Sequence, residues 1–245
     1  MNWVFSMKFS YDLHIHSVLS PCGDDDMTPN NIVNMAYVKG LDIISVTDHN
    51  TMGNVEAVMK VAKKRNILVI PGIEVTTKEE VHVLCYFRNI EDGLKFQDFI
   101  YKGLPDIKNN KKFFGNQLLM DENDNIIGEI EKFLLNSTKY TIKEINDLVN
   151  RLNGVFVPAH VDKKSYSILM NLGFIPDELN IKTVEVSKNY PLQSIKNLVS
   201  LERYNLIKNS DAHYLGDINE PIEFLDIEKK DVNSLIGHLN RSRRN

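Results

Sequence analysis

The chain has 245 residues, of which 42% are hydrophobic, and this size predicts one folded domain with a sizeable core. Its formal net charge of -4 argues against a broad basic surface for non-specific nucleic-acid binding. Only two cysteines occur and no apolar run reaches transmembrane length, which excludes a disulfide framework, a zinc ribbon and a membrane span.

The amino-terminal residues 1–7 are too few for a secretory signal, and they lack its charged flank. We therefore expect a soluble, cytoplasmic protein with no membrane partner.

The first part of the chain alternates between strand and helix patterns. A strand pattern at Lys8–Leu13 precedes a helix that begins at Thr28-Pro29, continues through Tyr37 and is ended by Gly40. Continuous apolar runs then predict two buried strands, with an apolar-periodic helix between them. These elements are Leu41–Val46, Val55–Ala62 and Ile67–Ile73.

A fourth strand is predicted at Val81–Phe87, only a few residues after Glu74. A parallel crossover needs a dozen or more residues, so we expect an antiparallel hairpin here. The start of one hairpin strand lies beside the end of its partner. His82 and Glu74 should therefore meet.

Three further strands alternate with helical patterns in the second half of the chain. The strands are Val155–Pro158, Thr183–Ser187 and Leu206–Asn209, and the helical patterns are Ile142–Leu152, Ser165–Leu172 and Leu192–Arg203. The resulting seven strands predict an α/β fold, a closed or nearly closed barrel with its chemistry at the carboxyl ends of the strands.

The alternation breaks between about residues 92 and 140. A lysine-rich stretch, Lys108–Lys112, precedes a hairpin pattern formed by Asn116–Met120, the turn Asp121–Asn125 and Ile126–Ile130. We predict an insertion at the rim of the barrel within a single domain of residues 1–245. It either shapes substrate access or is an ordinary surface excursion.

Histidines beside carboxylates recur at the ends of these strands. Imidazole and carboxylate without thiolate suit Zn²⁺, Mn²⁺ or Fe²⁺, and several ions need ligands from the whole chain. Two i, i+2 pairs could each chelate one ion because such side chains share a face of an extended segment. The histidines are His14, His16, His49, His82, His160 and His213, and the pairs are His14 with His16 and Asp211 with His213.

Glu74 adds a carboxylate to an otherwise apolar strand. An unpaired charge there would cost several kcal/mol unless an ion or hydrogen bonds compensate for it. A bound metal ion is the simplest compensation.

These fragments resemble the PHP family, named for its polymerase and histidinol phosphatase members. The resemblance rests on residues 12–17, 47–49, 72–74, 82, 160 and 211–213, and it spans residues 8–213. It implies a distorted seven-stranded β/α barrel with two or three divalent metal ions, and usually phosphoesterase activity.

The resemblance also implies a division of the ligands among the ions. The first ion would be bound by His14, His16, Glu74 and Asp211. The second ion would be bound by Glu74, His82 and His160. The third ion would be bound by His49, His213 and a residue of the loop after the first strand. For that loop residue we choose Asp24 by counting back from Thr28-Pro29. Asp25 is the alternative, because three adjacent aspartates stand where the family usually has one Asp-Gly. Glu74, Asp211 and His213 are the expected catalytic residues.

The expected activity is hydrolysis of a small phosphomonoester, of nucleotide or histidinol phosphate type, or of a short oligonucleotide, by a metal-activated hydroxide. Lys163 and Lys188 follow predicted strands and are candidates for holding the phosphate. One alternative is 3'-5' exonuclease action on single-stranded nucleic acid, for which Phe113 and Phe114, beside Lys111 and Lys112, could stack bases. Two others are a non-catalytic metal-bound interaction domain and a hydrolase that attacks an amide or lactone.

Overall fold

A computed structural model describes residues 6–191 and 203–242, which form a mixed α/β fold, as predicted. The strands are β1 Met7–Ile15, β2 Ile43–Val46, β3 Leu68–Val69, β4 Gly72–Thr76, β5 His82–Tyr86, β6 Leu118–Met120, β7 Ile126–Glu129, β8 Val155–Pro158, β9 Thr183–Ser187, β10 Asn205–Asn209 and β11 Phe224–Ile227.

Each predicted helical pattern within the described residues contains a helix, although the pattern predicted at Ser165–Leu172 is helical only at Ile168–Leu172. Thr28 caps the first helix by accepting a hydrogen bond from the Asn31 amide, with Pro29 at the first turn. The pattern predicted at Leu192–Arg203 lies outside the described residues, apart from Arg203 itself. The helices are α1 Pro29–Val38, α2 Val55–Lys63, α3 Ile90–Gly103, α4 Lys111–Phe114, α5 Ile142–Arg151, α6 Ile168–Leu172 and α7 Val232–Leu239.

The strands form four small sheets. Their orders are β11-β1-β2-β3, β4-β5-β8, β9-β10 and the two-stranded β6-β7. The β1-β2, β2-β3 and β9-β10 pairs are parallel, whereas β4, β5 and β8 pair antiparallel. The predicted hairpin of β4 and β5 is therefore confirmed, with Thr76 opposite His82.

The single strand predicted at Ile67–Ile73 is two strands. β3 pairs with β2, and β4 pairs with β5. The two are separated at Pro71, which has no amide hydrogen to continue a ladder and whose carbonyl accepts from the Phe87 amide. A continuous apolar run does not reveal this change of partner. The structure also adds β11, which pairs with β1 and was not predicted.

Contacts between strand ends join three of the sheets. A bridge between His49 and Glu74 links the segment after β2 to β4, and the Val161 amide donates to the Glu185 carbonyl across β8 and β9. A third bridge connects Ile15 of β1 with Ala212, which follows β10. All three junctions lie where the predicted metal ligands are found.

Glycine at position 72 permits the close approach of β4 to β2. A Cβ added to Gly72 would lie 2.3 Å from the Ser45 hydroxyl oxygen. Any larger residue would therefore push β4, and with it Glu74, away from β2 and His49.

A buried core lies beneath the site. Leu13, Ile43, Leu84, Val157 and Ile207 come from five different strands and pack into one apolar cluster. Helix α7 covers this cluster with three buried side chains, which are Leu235, Ile236 and Leu239. The cluster supports the strands from below, so that their carboxyl ends are held in fixed positions.

The segment of about residues 92–140 contains the predicted hairpin, because β6 and β7 pair antiparallel. It also contains most of α3, a helix that was not predicted from the sequence. The buried side chains Phe96 and Ile100 of α3 pack into a second apolar cluster. No helix within residues 6–191 and 203–242 is long and apolar enough to cross a membrane.

Candidate metal centre

Glu74 lies at the centre of the histidine cluster. Its side chain is buried, and its carboxylate oxygens approach the Nδ1 atoms of His82 at 2.9 Å and His49 at 3.0 Å. Three more imidazoles lie 3.4 Å away through their Nε2 atoms. These three belong to His14, His16 and His160. One carboxylate thus faces five imidazoles that come from distant parts of the chain.

Neither oxygen of Glu74 makes a hydrogen bond to any described residue, although the five imidazole nitrogens are so close. The buried Nδ1 atoms of His49 and His160 also lack a partner among the described residues. Buried polar groups are normally paired, and leaving them unpaired is costly. The unpaired atoms of Glu74 and His49 that face each other fit a divalent cation between them, and the donor set is that of Zn²⁺, Mn²⁺ or Fe²⁺.

The first strand delivers two ligands side by side, as the i, i+2 spacing predicts. His14 and His16 are fully buried, and their Nε2 atoms are 3.2 Å apart. The Asp211 carboxylate oxygen Oδ1 lies 3.3 Å from the first of these atoms and 3.2 Å from the second. The three side chains can therefore share one ion.

Two other groups of three could each hold an ion, and they differ in part from the expected division. His82 and Glu74 group with His49, while His160 stays 3.4 Å from Glu74. His49 and His213 group with His16. The expected ligands thus come together in one place, with Asp24 as the exception, but their division among individual ions stays a prediction.

Asp24 is not part of the ligand groups around Glu74 and does not line the cavity. Its carboxylate accepts a hydrogen bond from the Asp26 amide, and its own amide donates to the His213 carbonyl. Asp25 pairs instead with the Asn116 side chain at the surface. Cys22, from the same loop, lines the cavity in their place. Which side chain of this loop lines the cavity could not be predicted from three adjacent aspartates.

The two candidate lysines differ in position. Lys163 lines the cavity, and its ammonium group contacts the Asp211 carboxylate. Lys188 does not line the cavity; it donates to the Asp217 carbonyl at 2.8 Å. Only Lys163 is placed to meet a ligand in the site.

Four non-glycine residues around the site have positive φ angles. These angles are 28° at His160, 54° at Asp211, 55° at Asn50 and 54° at Tyr166. Such conformations are uncommon for residues with a Cβ atom and persist only where the surrounding structure enforces them. At His160 and Asp211 they aim an expected ligand into the cluster.

Glu185 is a site residue that the sequence analysis did not identify. It is buried in β9, and its carboxylate oxygen Oε1 lies 3.0 Å from His14 Nδ1. It also accepts from the His160 amide at 2.8 Å and from the Asn209 side chain at 2.7 Å. An acidic residue in the apolar strand Thr183–Ser187 was the available signal, the same signal that identified Glu74.

Asp48 fixes the loop that follows β1. Its buried carboxylate accepts from the Ser17 amide and from the hydroxyl groups of Ser17 and Ser20 at 2.6 to 2.7 Å. The Ser20 oxygen in turn lies 3.0 Å from His16 Nδ1. Asp48 therefore orients His16 through one intervening hydroxyl group.

The charged groups of the cluster shift one another's pKa. Burial favours a higher pKa for Glu74, but the imidazoles, led by that of His82, hold it well below its ordinary value. Burial favours a lower pKa for His14, but the carboxylates, led by that of Glu185, raise it well above its ordinary value. Burial and a neighbouring imidazole lower the pKa of His213 to about 4. At neutral pH Glu74 is ionised and His213 is neutral, the forms that bind metal.

The cluster opens into a cavity of about 280 Å³. This volume is just below the lower limit of about 300 Å³ for small-molecule sites, so the cavity is a small one. Its walls include Leu135, Ser165 and Tyr166 in addition to the ligands and Lys163.

A buried cluster of imidazoles and carboxylates in an α/β fold is typical of hydrolases that act through divalent ions. The PHP domain family matches residues 12–239, nearly the whole chain, and the protein belongs to this family. The resemblance found in the sequence is confirmed.

Three known proteins illustrate the relationship. The 5'-3' exoribonuclease of Haemophilus influenzae is 32% identical over 81 residues, which are 32% of this chain and 28% of that protein. The lesion-specific endonuclease Q of Pyrococcus furiosus superimposes with a TM-score of 0.71 at 19% identity, covering 96% of this chain and 56% of the other. A protein of Bifidobacterium adolescentis, assigned as a metal-dependent phosphoesterase, gives 0.61 at 18% identity, with coverages of 94% and 95%.

The chain therefore spans less than a third of the exoribonuclease and little more than half of endonuclease Q. At these identities the two structural likenesses concern the fold alone.

Proposed function

We propose that the protein hydrolyses a phosphoester of nucleotide size. The substrate would be a small phosphomonoester, of nucleotide or histidinol phosphate type, or the end of a short oligonucleotide. The observation that carries this proposal is the buried Glu74 carboxylate, unpaired among the described residues and facing five imidazoles at the floor of a small cavity.

The residues that would hold two or three divalent ions are those already grouped around Glu74. They are His14, His16, His49, Glu74, His82, His160, Asp211 and His213, and the assignment of Asp24 to a third ion is not favoured by its position. Bound divalent ions supply Lewis acidity, which lowers the pKa of water and neutralises charge on the phosphate oxygens.

Glu185 would set the orientation of His14. The His14 Nδ1 atom donates to the Glu185 carboxylate, which leaves Nε2 directed toward Glu74 and Asp211. A carboxylate behind a ligating histidine fixes its tautomer and raises its basicity. This contact therefore keeps the proton of a neutral His14 on Nδ1 and leaves Nε2 free to bind a cation.

Lys163 would hold the phosphate. Its ammonium group contacts Asp211 at the cavity wall, and its side chain is half exposed, so it can turn toward an arriving anion. A charge-assisted hydrogen bond from Lys163 to a nonbridging phosphate oxygen would orient the ester above the cluster. The cavity walls Leu135 and Tyr166 would limit access of bulk water.

We also propose that the strands form the predicted distorted barrel of seven strands. The contacts between the ends of β2 and β4, β8 and β9, and β1 and β10 are consistent with strands arranged around one centre. A closed arrangement would explain why ligands from both halves of the chain converge.

The cytoplasmic location of the protein stays a prediction.

Stepwise removal of terminal nucleotides is a second candidate, favoured by the similarity to a 5'-3' exoribonuclease. Phe113 and Phe114 are 76% and 45% exposed and could stack bases of a single strand. The sequence analysis gave the direction as 3'-5', whereas the relative is a 5'-3' enzyme. The direction for this chain is a matter for experiment.

The test is a panel of phosphoesters offered to protein reconstituted with Mn²⁺, Zn²⁺ or Fe²⁺. Released phosphate is measured for nucleoside monophosphates and histidinol phosphate, and single-stranded oligonucleotides labelled at either end report the direction of cleavage. We expect metal-dependent turnover of at least one of these substrates. Metal-loaded protein that cleaves none of them would contradict the proposal and favour a non-catalytic metal-bound domain.

Lys163→Met and Lys188→Met form a matched pair for this assay. Both remove an ammonium group that follows a strand, but only Lys163 lines the cavity. We expect K163M to raise KM about tenfold or more and K188M to change it less than twofold. Equal effects of the two variants would contradict the assignment of Lys163 to the phosphate.

A further inference from the structure

Tyr166 lines the cavity and also stacks on one of the histidines around Glu74. Its ring stacks on the imidazole of His82, with ring centroids 4.6 Å apart and planes inclined by 22°. The side chain is nevertheless 46% exposed and lines the cavity beside Lys163. His82 thus covers one side of the ring, and much of the remaining aromatic surface faces open space.

The backbone holds this ring in a fixed position. Tyr166 has a φ of 54°, and its carbonyl accepts a hydrogen bond from the His82 amide at 2.8 Å. A residue with a large side chain rarely adopts this conformation without enforcement. The hydrogen bond from β5 places the Tyr166 backbone beside His82, and the stacking contact positions the ring against that imidazole.

The cavity lining combines polar and apolar groups. Glu74, Asp211 and Lys163 supply the charges that would hold a phosphate, whereas Leu135 and Tyr166 provide an apolar side chain and an aromatic ring. A ligand that uses both kinds of group needs a phosphate and a flat apolar group within one small molecule. A nucleoside monophosphate, or the last nucleotide of a strand, has this composition.

We propose that Tyr166 is the stacking surface for the nucleobase of the substrate, and hence that the enzyme prefers nucleotide esters to sugar phosphates. The proposal rests on the proposed phosphoesterase function and narrows its substrate class. Base stacking on an aromatic side chain tolerates any base, so the preference would be for nucleotides in general rather than for one base.

Equilibrium binding tests the proposal without turnover. The probes are the non-hydrolysable 5'-methylenephosphonate analogues of AMP and of ribose 5-phosphate, which differ by the adenine ring, titrated into Mn²⁺-loaded protein by calorimetry. We expect the adenosine analogue to bind about tenfold more tightly, since stacking of one base accounts for a preference of this order.

Substitution of Tyr166 then shows whether this ring is responsible. Asn tolerates a positive φ, so Tyr166→Asn removes the ring with little backbone strain, and Tyr166→Phe keeps the ring. We expect the tenfold preference to disappear in Y166N and to persist in Y166F. Tyr37→Asn is the control, since Tyr37 is 52% exposed on α1, away from the cavity, and should keep the preference.

Other outcomes would overturn the proposal. If the parent protein binds both analogues equally, or if Y166N keeps the preference, Tyr166 is not a base platform. If Y166N weakens both analogues by the same factor, Tyr166 acts only through His82. Failure of the underlying function is a separate result, in which the preference for the adenosine analogue is present but no phosphoester of the panel is cleaved.

Discussion

Glu185 lies 3.0 Å from Nδ1 of His14, on the opposite side of the imidazole from Glu74, which lies 3.4 Å from Nε2. One buried histidine is thus held between two buried carboxylates. Glu74 lies close to four further imidazoles, whereas Glu185 accepts from the His160 amide and the Asn209 side chain, so the two acids have different tasks. Glu74 is placed to bind cations, and Glu185 is placed to orient a ligand.

Glu185→Gln should weaken metal binding by about 10- to 100-fold, the usual effect of losing the partner behind a ligating histidine. The amide can still accept a hydrogen bond from His14, but it no longer supplies the charge that raises the basicity of the ring. Competition with a chromogenic chelator measures the affinity for Zn²⁺ or Mn²⁺. Glu178→Gln, at an exposed position, is the matched control. Equal affinities of E185Q and the parent protein would disprove the orienting role.

His14→Ala and Glu74→Ala should each reduce Mn²⁺-dependent phosphate release at least about 100-fold, because each loses a ligand and its transition-state stabilisation. The fold should persist, since neither side chain belongs to the apolar cluster beneath the site. Phosphate release, metal content and far-UV circular dichroism are measured together. Unchanged turnover in both variants would refute the assignment of the site.

Metal binding should release a proton from His14 near neutral pH. The surrounding carboxylates raise the pKa of His14 well above its ordinary value, so the metal-free protein holds this proton at pH 7. A ligating imidazole must be neutral, and therefore the metal affinity should rise with pH until His14 is deprotonated in the free protein.

Calorimetric titrations of metal into the protein, in two buffers of different ionisation enthalpy, count the protons released. The apparent enthalpies should differ, and the difference should shrink in E185Q because the Glu185 carboxylate is the leading group that raises the pKa of His14. Identical enthalpies in the two buffers would contradict the predicted protonation of the free site.

The turn between β6 and β7 should contribute to stability through Asp124. Its carboxylate accepts from the Thr28 hydroxyl at 2.7 Å and from the Asn30 amide at 3.0 Å, which ties the hairpin to the start of α1. Asp124 has a φ of 61°, so Asp124→Gly removes the carboxylate without backbone strain. We expect a loss of about 1 to 2 kcal/mol in the free energy of unfolding, measured with urea.

Asp121→Ala is the comparison for this variant, because Asp121 bonds only within its own turn among the contacts described. It should cost less than D124G. A larger loss in D121A would mean that the turn itself, and not its attachment to α1, stabilises the hairpin.

Sequence patterns identified those parts of the site that depend on short-range geometry. The alternation of side chains along an extended strand predicted that His14 and His16 share a face, and the short connection after Glu74 predicted its meeting with His82. Burial of a charge in an apolar strand identified Glu74, and the same argument would have identified Glu185 had it been applied to β9.

Other features depend on backbone conformations that residue types do not specify. The loop after β1 directs Cys22 rather than Asp24 into the cavity, and Tyr166 reaches it through a positive φ. The separation of β3 from β4 depends on which strand each one pairs with, a long-range choice that a continuous apolar run leaves open. Tertiary contacts decide these details.

The most direct test of the account is anomalous diffraction from crystals of the protein grown with Mn²⁺ or Zn²⁺. The account predicts anomalous peaks beside Glu74, with ligand atoms of Glu74, His14, His16 and Asp211 at about 2.0 to 2.3 Å from a bound ion. Absence of any peak within reach of the Glu74 carboxylate, in crystals of protein shown to contain metal, would contradict the central claim.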